Sequence, residues 1–231
     1  MRSNKAHRLL ALLLAFVMTF SLLPTVAWAA DETSGDCSLN TDGSVTWSYD
    51  ADTTTLTISG TGAMKDYKRI GKKNKAPWIT ASWASSIKIV EINDGVTRIG
   101  NYAFYGLPIT SVTLPDTAVE IGDYAFSTTS LQNTNFLKSN TVLGEYVFQK
   151  CTALESITIP EGWTSLGTST FAECANVTKV TFPSTLKEIN SGAFTSCSSL
   201  KSIEIPEGVE KVGSYAFYYC EGLESVSLPS T

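Results

Sequence analysis

The chain has 231 residues, 43% of them hydrophobic, with 17 Lys+Arg against 22 Asp+Glu, 5 cysteines and 1 histidine. That length supports one substantial core or a long repeat stack, and a formal net charge of -5 argues against polyanion binding as the main activity. The histidine, His7, lies in the opening segment, so the remainder cannot build a Ser-His-Asp triad, a Cys-His pair or a His-ligated metal site; carboxylate pairs of the glycosidase kind stay open but need a cleft.

Residues 1–29 read as a secretory signal peptide. Arg2, Lys5, His7 and Arg8 give a basic start, LLALLLAFVMTFSLLP an apolar run, and Ala27-Trp28-Ala29 a small-residue site for cleavage after Ala29. Thr19, Ser21 and Pro24 interrupt the run, which is short for a span, and no membrane span is expected after cleavage. Its removal takes Lys+Arg from 17 to 14 and the formal charge to -8. A secreted, extracellular or cell-surface location follows.

Residues 30–85 read as a β-rich amino-terminal cap. Val45/Trp47/Tyr49 and Leu56/Ile58 alternate with polar residues, which predicts a β-hairpin. The stretch KDYKRIGKKNK gathers Lys65, Lys68, Arg69, Lys72, Lys73 and Lys75, six of those 14 basic residues. It reads as a solvated excursion from the cap, with contact to an anionic wall polymer or glycan as the functional alternative. Cys37 stands alone there and leaves an odd cysteine total.

Residues 86–231 carry a repeat. Phe104, Phe126, Phe148, Phe171, Phe194 and Phe217 are separated by 22, 22, 23, 23 and 23 residues. Cys151, Cys174, Cys197 and Cys220 recur every 23 residues, as do Pro160, Pro183, Pro206 and Pro229. Segments such as SITIP, KVTFP, SIEIP and SVSLP alternate with period two. They predict short strands with Ile157/Ile159, Val180/Phe182, Ile203/Ile205 and Val226/Leu228 facing inward. Proline, lacking an N–H, ends each strand. Gly100, Gly122, Gly144, Gly167, Asn190 and Gly213 form one column; an asparagine among glycines predicts a left-handed turn. The YAF, STF and GAF segments that follow are expected to hold their aromatic anchor in a short helical turn.

No such unit buries its own apolar face, so units must stack, equivalent strands lying about 4.8 Å apart in parallel ladders. The product is a solenoid of short parallel β-strands, which presents an extended surface rather than a deep pocket.

The pattern C-x-x-L-x-x-I-x-I-P, then V-x-x-[IV]-G-x-x-A-F, resembles the BspA-like leucine-rich repeats of bacterial surface proteins across residues 86–231, about six units. The lead-in ending at Ala76-Pro77-Trp78 resembles the β-rich segment commonly ahead of such repeats. Residues 131–150 depart from the pattern, with Leu137 for proline and Thr134 for an inward aliphatic, so that coil is expected to be the loosest. The resemblance implies a leucine-rich-repeat solenoid and adhesion to surface macromolecules.

Adjacent coils would bring cysteine Cα atoms within bridging range. Side chains in one column point in parallel, however, and the resemblance puts this column in a buried turn, so buried thiols acting as small hydrophobes are expected. The spacing of 23, without a C-x-x-C pair, disfavours a metal site, and neither cofactor nor metal is expected. Asp94, Asp116, Glu161 and Glu207 follow strands, but Lys138 and Ser184 interrupt the column, which reads as solvated turn residues rather than a calcium ladder. Trp163 shares the column of Val96, Ala118, Leu186 and Val209 and reads as core filler.

Leu228-Pro229-Ser230-Thr231 repeats the register of Phe182-Pro183-Ser184-Thr185, so it reads as repeat rather than as a wall-sorting signal. A stop just after a strand, with no polar cap, reads as a fragment or as an edge open to edge-to-edge self-association.

The outward strand face remains as a ligand surface: Glu91, Thr113, Asn135, Thr158, Thr181, Glu204 and Ser227, flanked by Ser111, Asn133, Ser156, Lys179, Ser202 and Ser225. Small polar groups on a rigid ladder suit hydrogen bonding to a protein or glycan and equally suit solubility. The leading functional reading is a non-catalytic interaction module. The alternatives are the targeting or structural arm of a longer exported enzyme continuing beyond Thr231, and a passive spacer.

Overall fold

A computed structural model describes residues 31–117 and 119–230; the expected leader, its cleavage site and Thr231 lie outside the described residues. The described residues begin with an antiparallel meander of β1 (Ser34–Asp36), β2 (Val45–Asp50) and β3 (Thr55–Gly60). Alternation decides its facing: Val45, Trp47 and Tyr49 are buried while Thr46, Ser48 and Asp50 are exposed. Trp47 meets Trp78 edge-on at 5.6 Å, and Tyr49 stacks on Trp83 at 4.1 Å, forming an aromatic cap core.

The hairpin does more than shield an end. β3 pairs in parallel with β5 (Ile89–Ile92), Thr57 opposite Glu91, so its second strand is already the first rung of the solenoid. β5 pairs in turn with β7 (Ser111–Thr113). Further along lie the parallel pairs β10 (Ser156–Thr158) with β12 (Lys179–Thr181), and β14 (Ser202–Glu204) with β16 (Ser225–Ser227).

A second strand row runs on another wall, through β4 (Gly62–Ala63), β6 (Val96–Ile99), β8 (Glu120–Ile121) and β9 (Val142–Leu143). It resumes in β11 (Ser165–Leu166), β13 (Glu188–Ile189) and β15 (Lys211–Val212). From β6 onward each strand of this row ends immediately before the glycine column. Two-residue strands are too short to leave a periodic trace in sequence.

The third wall is made of turns, where a helical turn was expected. Ala103 N–H reaches Gly100 O in an i→i+3 turn, but Tyr102, Phe104 and Gly106 donate onward to Asp123, Ala125 and Ser127 of the next coil at 2.9, 2.9 and 3.0 Å. The pattern recurs at Tyr124, Phe126 and Thr128, which reach Glu145, Val147 and Gln149. The backbone bonds that a helix would spend internally are spent between coils.

This wall also corrects the reading of the glycine column. Positive φ falls two residues later, at Tyr102, Tyr124, Tyr146, Ser169, Gly192 and Tyr215, and again at Gly106, Thr128, Lys150, Glu173, Ser196 and Tyr219. Reversing handedness at both ends of the turn stops the helix from propagating. The column glycines are required for space instead: a Cβ on Gly100 would lie 1.8 Å from Lys65 O, and one on Gly213 2.5 Å from Ser191 N. Asn190 fits because it borders an opening, described below.

Inside, the phenylalanines stand in single file, with successive centroids 5.2, 5.9, 5.3, 5.7 and 5.6 Å apart from Phe104 to Phe217. Trp78 continues the file into the cap, 5.9 Å from Phe104, its indole N–H donating to Ala103 O at 2.8 Å. Ile157, Ile159, Ile203 and Ile205 are buried as expected, and Val180 and Phe182 partly so. Val226 and Leu228, expected inward, are 48% and 70% exposed, because among the described residues no further coil packs over them.

Both strand rows are interrupted at the coil that departs from the repeat. Residues 131–137 form no strand, and β9 and β11 are not paired. The turn wall crosses the gap intact, with Tyr146, Phe148 and Lys150 donating to Thr168, Thr170 and Ala172. The opening is a cavity of about 350 Å³ bordered by Val142, Trp163, Ser165, Gly167 and Asn190, which gives the Asn190 side chain its room.

Candidate functional site: the outward strand face

The seven residues of the expected ligand row, Glu91, Thr113, Asn135, Thr158, Thr181, Glu204 and Ser227, are all exposed. Ladder register makes direct neighbours of Glu91 and Thr113, of Thr158 and Thr181, and of Glu204 and Ser227. Such neighbours sit about 4.8 Å apart. Asn135 stands outside any strand, its N–H held by the Asn133 side chain at 3.1 Å. The row is therefore three rigid pairs with a bend at Asn135, rather than one continuous file.

Sequence reasoning missed that the row extends into the cap. Thr57 lies opposite Glu91 and Ser48, and Ser48 opposite Ser34. The signal was present, since Thr57 sits between Leu56 and Ile58 as Glu91 sits between Val90 and Ile92. Treating the hairpin as a separate cap hid it.

Beneath the row, Thr134 is buried in place of an aliphatic. Its hydroxyl donates to Thr158 O at 3.0 Å and accepts from Thr158 N–H at 3.1 Å. One side chain thus supplies the two bonds that a strand at 131–137 would have given to β10.

All five cysteines are unbridged and buried. Each thiol of the column donates to a phenylalanine carbonyl of the preceding coil: Cys151 to Phe126, Cys174 to Phe148, Cys197 to Phe171 and Cys220 to Phe194, at 3.1 to 3.3 Å. Cysteine here fills space and also satisfies a buried acceptor. Burial pushes the Cys151 thiol up to about 11 and Cys197 to about 12, and Cys174 well above its ordinary value. Thiolate chemistry is suppressed in such sites.

Of the acids after the strands, all exposed, Asp116, Glu161 and Glu207 tie coil to coil. Glu161 accepts from Ser184 N–H and hydroxyl at 3.1 Å each, and Glu207 accepts from Ser230 N–H at 3.0 Å. Ser184 and Ser230 thus make the same contact, which places Leu228, Pro229 and Ser230 in the repeat. Lys138 pairs with Asp116. Trp163 is buried, its indole N–H donating to Lys138 O at 3.0 Å.

A sequence profile described as the BspA type leucine rich repeat region matches residues 82–200 and 164–231, in 6 copies. Among solved structures, a leucine rich cell surface protein from Faecalibacterium prausnitzii A2-165 is 28% identical with a TM-score of 0.57, the match covering 80% of this chain and 53% of that one. A leucine-rich repeat protein from Bacteroides ovatus ATCC 8483 is 22% identical, TM-score 0.55, covering 80% and 52%. A T. pallidum leucine rich repeat protein is 24% identical, TM-score 0.54, covering 82% of each chain. The last two support the fold alone, and the chain spans about half the length of the first two. No curated protein matches. With six repeat copies across the solenoid and the same fold in these neighbours, the chain belongs to the BspA type leucine-rich repeat family.

Proposed function

We propose that the chain is a secreted or cell-surface, non-catalytic interaction module that binds an extracellular protein or glycan through its outward strand face. The observation that carries this reading is the row itself: hydroxyl and carboxylate groups fixed in exposed pairs on hydrogen-bonded strands, Glu91/Thr113, Thr158/Thr181 and Glu204/Ser227. Rigid presentation lowers the ordering cost of each hydrogen bond to a partner. Family membership supports interaction over catalysis, and fold by itself does not name the partner.

Glycan and matrix-protein arrays test it, comparing the native chain with the triple variant Thr158→Ala, Thr181→Ala, Glu204→Ala. A signal that the triple variant loses supports the reading. Signals at background for both chains would leave the face a soluble wall and the protein a spacer.

A further inference from the structure

The basic stretch of the cap is anchored rather than solvated at random. Tyr67 N–H donates to Asn101 O at 2.9 Å, Lys68 N–H to Asn74 O at 2.7 Å and Asn74 N–H to Gly71 O at 2.9 Å, with Gly71 turning at φ 88. The loop is closed on itself and fixed to the turn wall. This holds Lys68, Arg69 and Lys75 beside Ile79, Tyr102 and Tyr105 around a cavity of about 210 Å³. A neighbouring cavity of about 320 Å³ shares Lys68 and Lys75 and adds Lys65 and Lys73.

The charges there lie outside any salt bridge among the described residues. Asp66, the one acid within residues 65–75, is occupied: its Oδ1 takes Arg98 Nη1 at 2.7 Å and Asn101 N–H at 2.8 Å. Among the described residues, Lys65, Lys68, Arg69, Lys73 and Lys75 form no ion pair, whereas Lys138, Lys187, Lys201 and Lys211 each pair with an acid one coil away. Cations gathered without counter-charge on an otherwise acidic chain create a local field that an anion relieves.

The aromatic part supplies shape. The Tyr102 and Tyr105 rings meet at 5.7 Å and 58°, forming a corner, and Tyr124 stacks against Tyr102 at 4.7 Å. Arg69 and Tyr105 line the same smaller cavity. The smaller cavity lies below the roughly 300–1,000 Å³ of pockets for drug-sized ligands, so it suits a single ring.

We propose that this pocket binds an acidic pyranose, a sugar ring bearing a carboxylate or sulfate, with Lys68, Arg69 and Lys75 meeting the anionic group and the Tyr102/Tyr105 corner meeting the ring. Guanidinium suits the planar, bidentate anion, and tyrosine offers an apolar face with a polar edge. The site lies on the cap and turn wall, so it is independent of the strand-face reading.

Calorimetry on the chain without its leader tests it, using a glucuronate-containing tetrasaccharide, a sulfated keratan tetrasaccharide that carries no carboxylate, neutral chitotetraose and hexaglutamate. The expected result is binding of at least one acidic saccharide and not of chitotetraose. It should weaken about tenfold in Arg69→Gln/Lys75→Gln, and about fivefold in Tyr105→Ala, at unchanged melting temperature. The two acidic saccharides separate carboxylate from sulfate. The triple alanine variant of the strand face should bind them undiminished. No binding of either acidic saccharide overturns the proposal, as does hexaglutamate binding equally well with no effect of Tyr105→Ala, which would mark an acidic-peptide site.

Discussion

The Thr134 hydroxyl bonds both main-chain groups of Thr158, at 3.0 Å to the carbonyl and 3.1 Å from the N–H. Most coils carry an aliphatic at this position, so a consensus argument would make Thr134→Val stabilising. The structure predicts the reverse. Valine removes both hydrogen bonds to the Thr158 main chain, a loss of about 2 kcal/mol at about 1 kcal/mol each, while Thr134→Ser keeps the bonds and most of the stability. Urea midpoints at constant slope would decide between the two arguments.

Substitutions can separate the two kinds of glycine. A Cβ on Gly100 meets Lys65 O at 1.8 Å, whereas Gly106, at φ 73, has nothing within 4 Å of its missing Cβ. Gly100→Ala should cost about 3 kcal/mol by forcing backbone apart. Gly106→Ala should cost about 1 kcal/mol, the left-handed penalty alone, at a column where Thr128 and Lys150 already adopt that conformation. Equal losses would restore a conformational explanation for the whole glycine column.

Alkaline pH should destabilise the fold through the thiols. Burial raises Cys37 and Cys197 to about 12 and Cys151 to about 11, from 9.0. Below the ordinary value both folded and unfolded thiols are neutral, and the stability is complete. Above it the unfolded chain releases protons that the folded chain retains, so stability falls from pH 9.0 towards about 12. The slope approaches about 1.4 kcal/mol per pH unit for each thiol still protonated in the fold. Denaturant melts from pH 7 to 10 measure it, and Cys174→Ala should reduce the slope while costing about 1 kcal/mol at pH 7 for the lost bond to Phe148 O. Non-reducing mass spectrometry should find no bridge.

Arg98 joins the cap to the first coils, with Nη1 2.7 Å from Asp66, Nε 2.9 Å from Glu120 and Nη2 3.2 Å from Asn101 Oδ1. These three side-chain partners, with Met64 O also 3.4 Å from Nη1, require the guanidinium fork. Arg98→Lys should therefore lose nearly as much as Arg98→Met, about 2 kcal/mol, by thermal or urea unfolding. A lysine variant as stable as the native chain would reduce the site to an ordinary surface charge.

The columns legible in sequence were those in which one chemical demand repeats at every coil. Phe104 to Phe217 must stack, Cys151 to Cys220 must fill a turn, and Ile157 and Ile203 must face inward, so period and identity coincide. The glycine column was legible as a column but not as a cause, since close approach and left-handed backbone both select glycine. The second row escaped notice because strands such as Glu120–Ile121 are shorter than any period. Of the outward row proposed to bind a partner, the seven positions were readable from alternation. Its extension to Thr57 and its bend at Asn135 depend on how the hairpin and coil 131–137 pair. The cation pocket was half visible: Lys68, Arg69 and Lys75 stand out as a charge run, but their meeting with Tyr102 and Tyr105 arises only on folding.

The phenylalanine file runs unbroken past the place where both strand rows lapse. Stacked rings resist compression but slide and separate readily, whereas hydrogen-bonded ladders resist shear. The first row also lapses between β12 and β14, but only between Leu143 and Ser165 do both rows lapse together, so mechanical weakness is greatest at that level. Tension along the axis should part the molecule there into two stiff segments, and single-molecule pulling would register that rupture before any other.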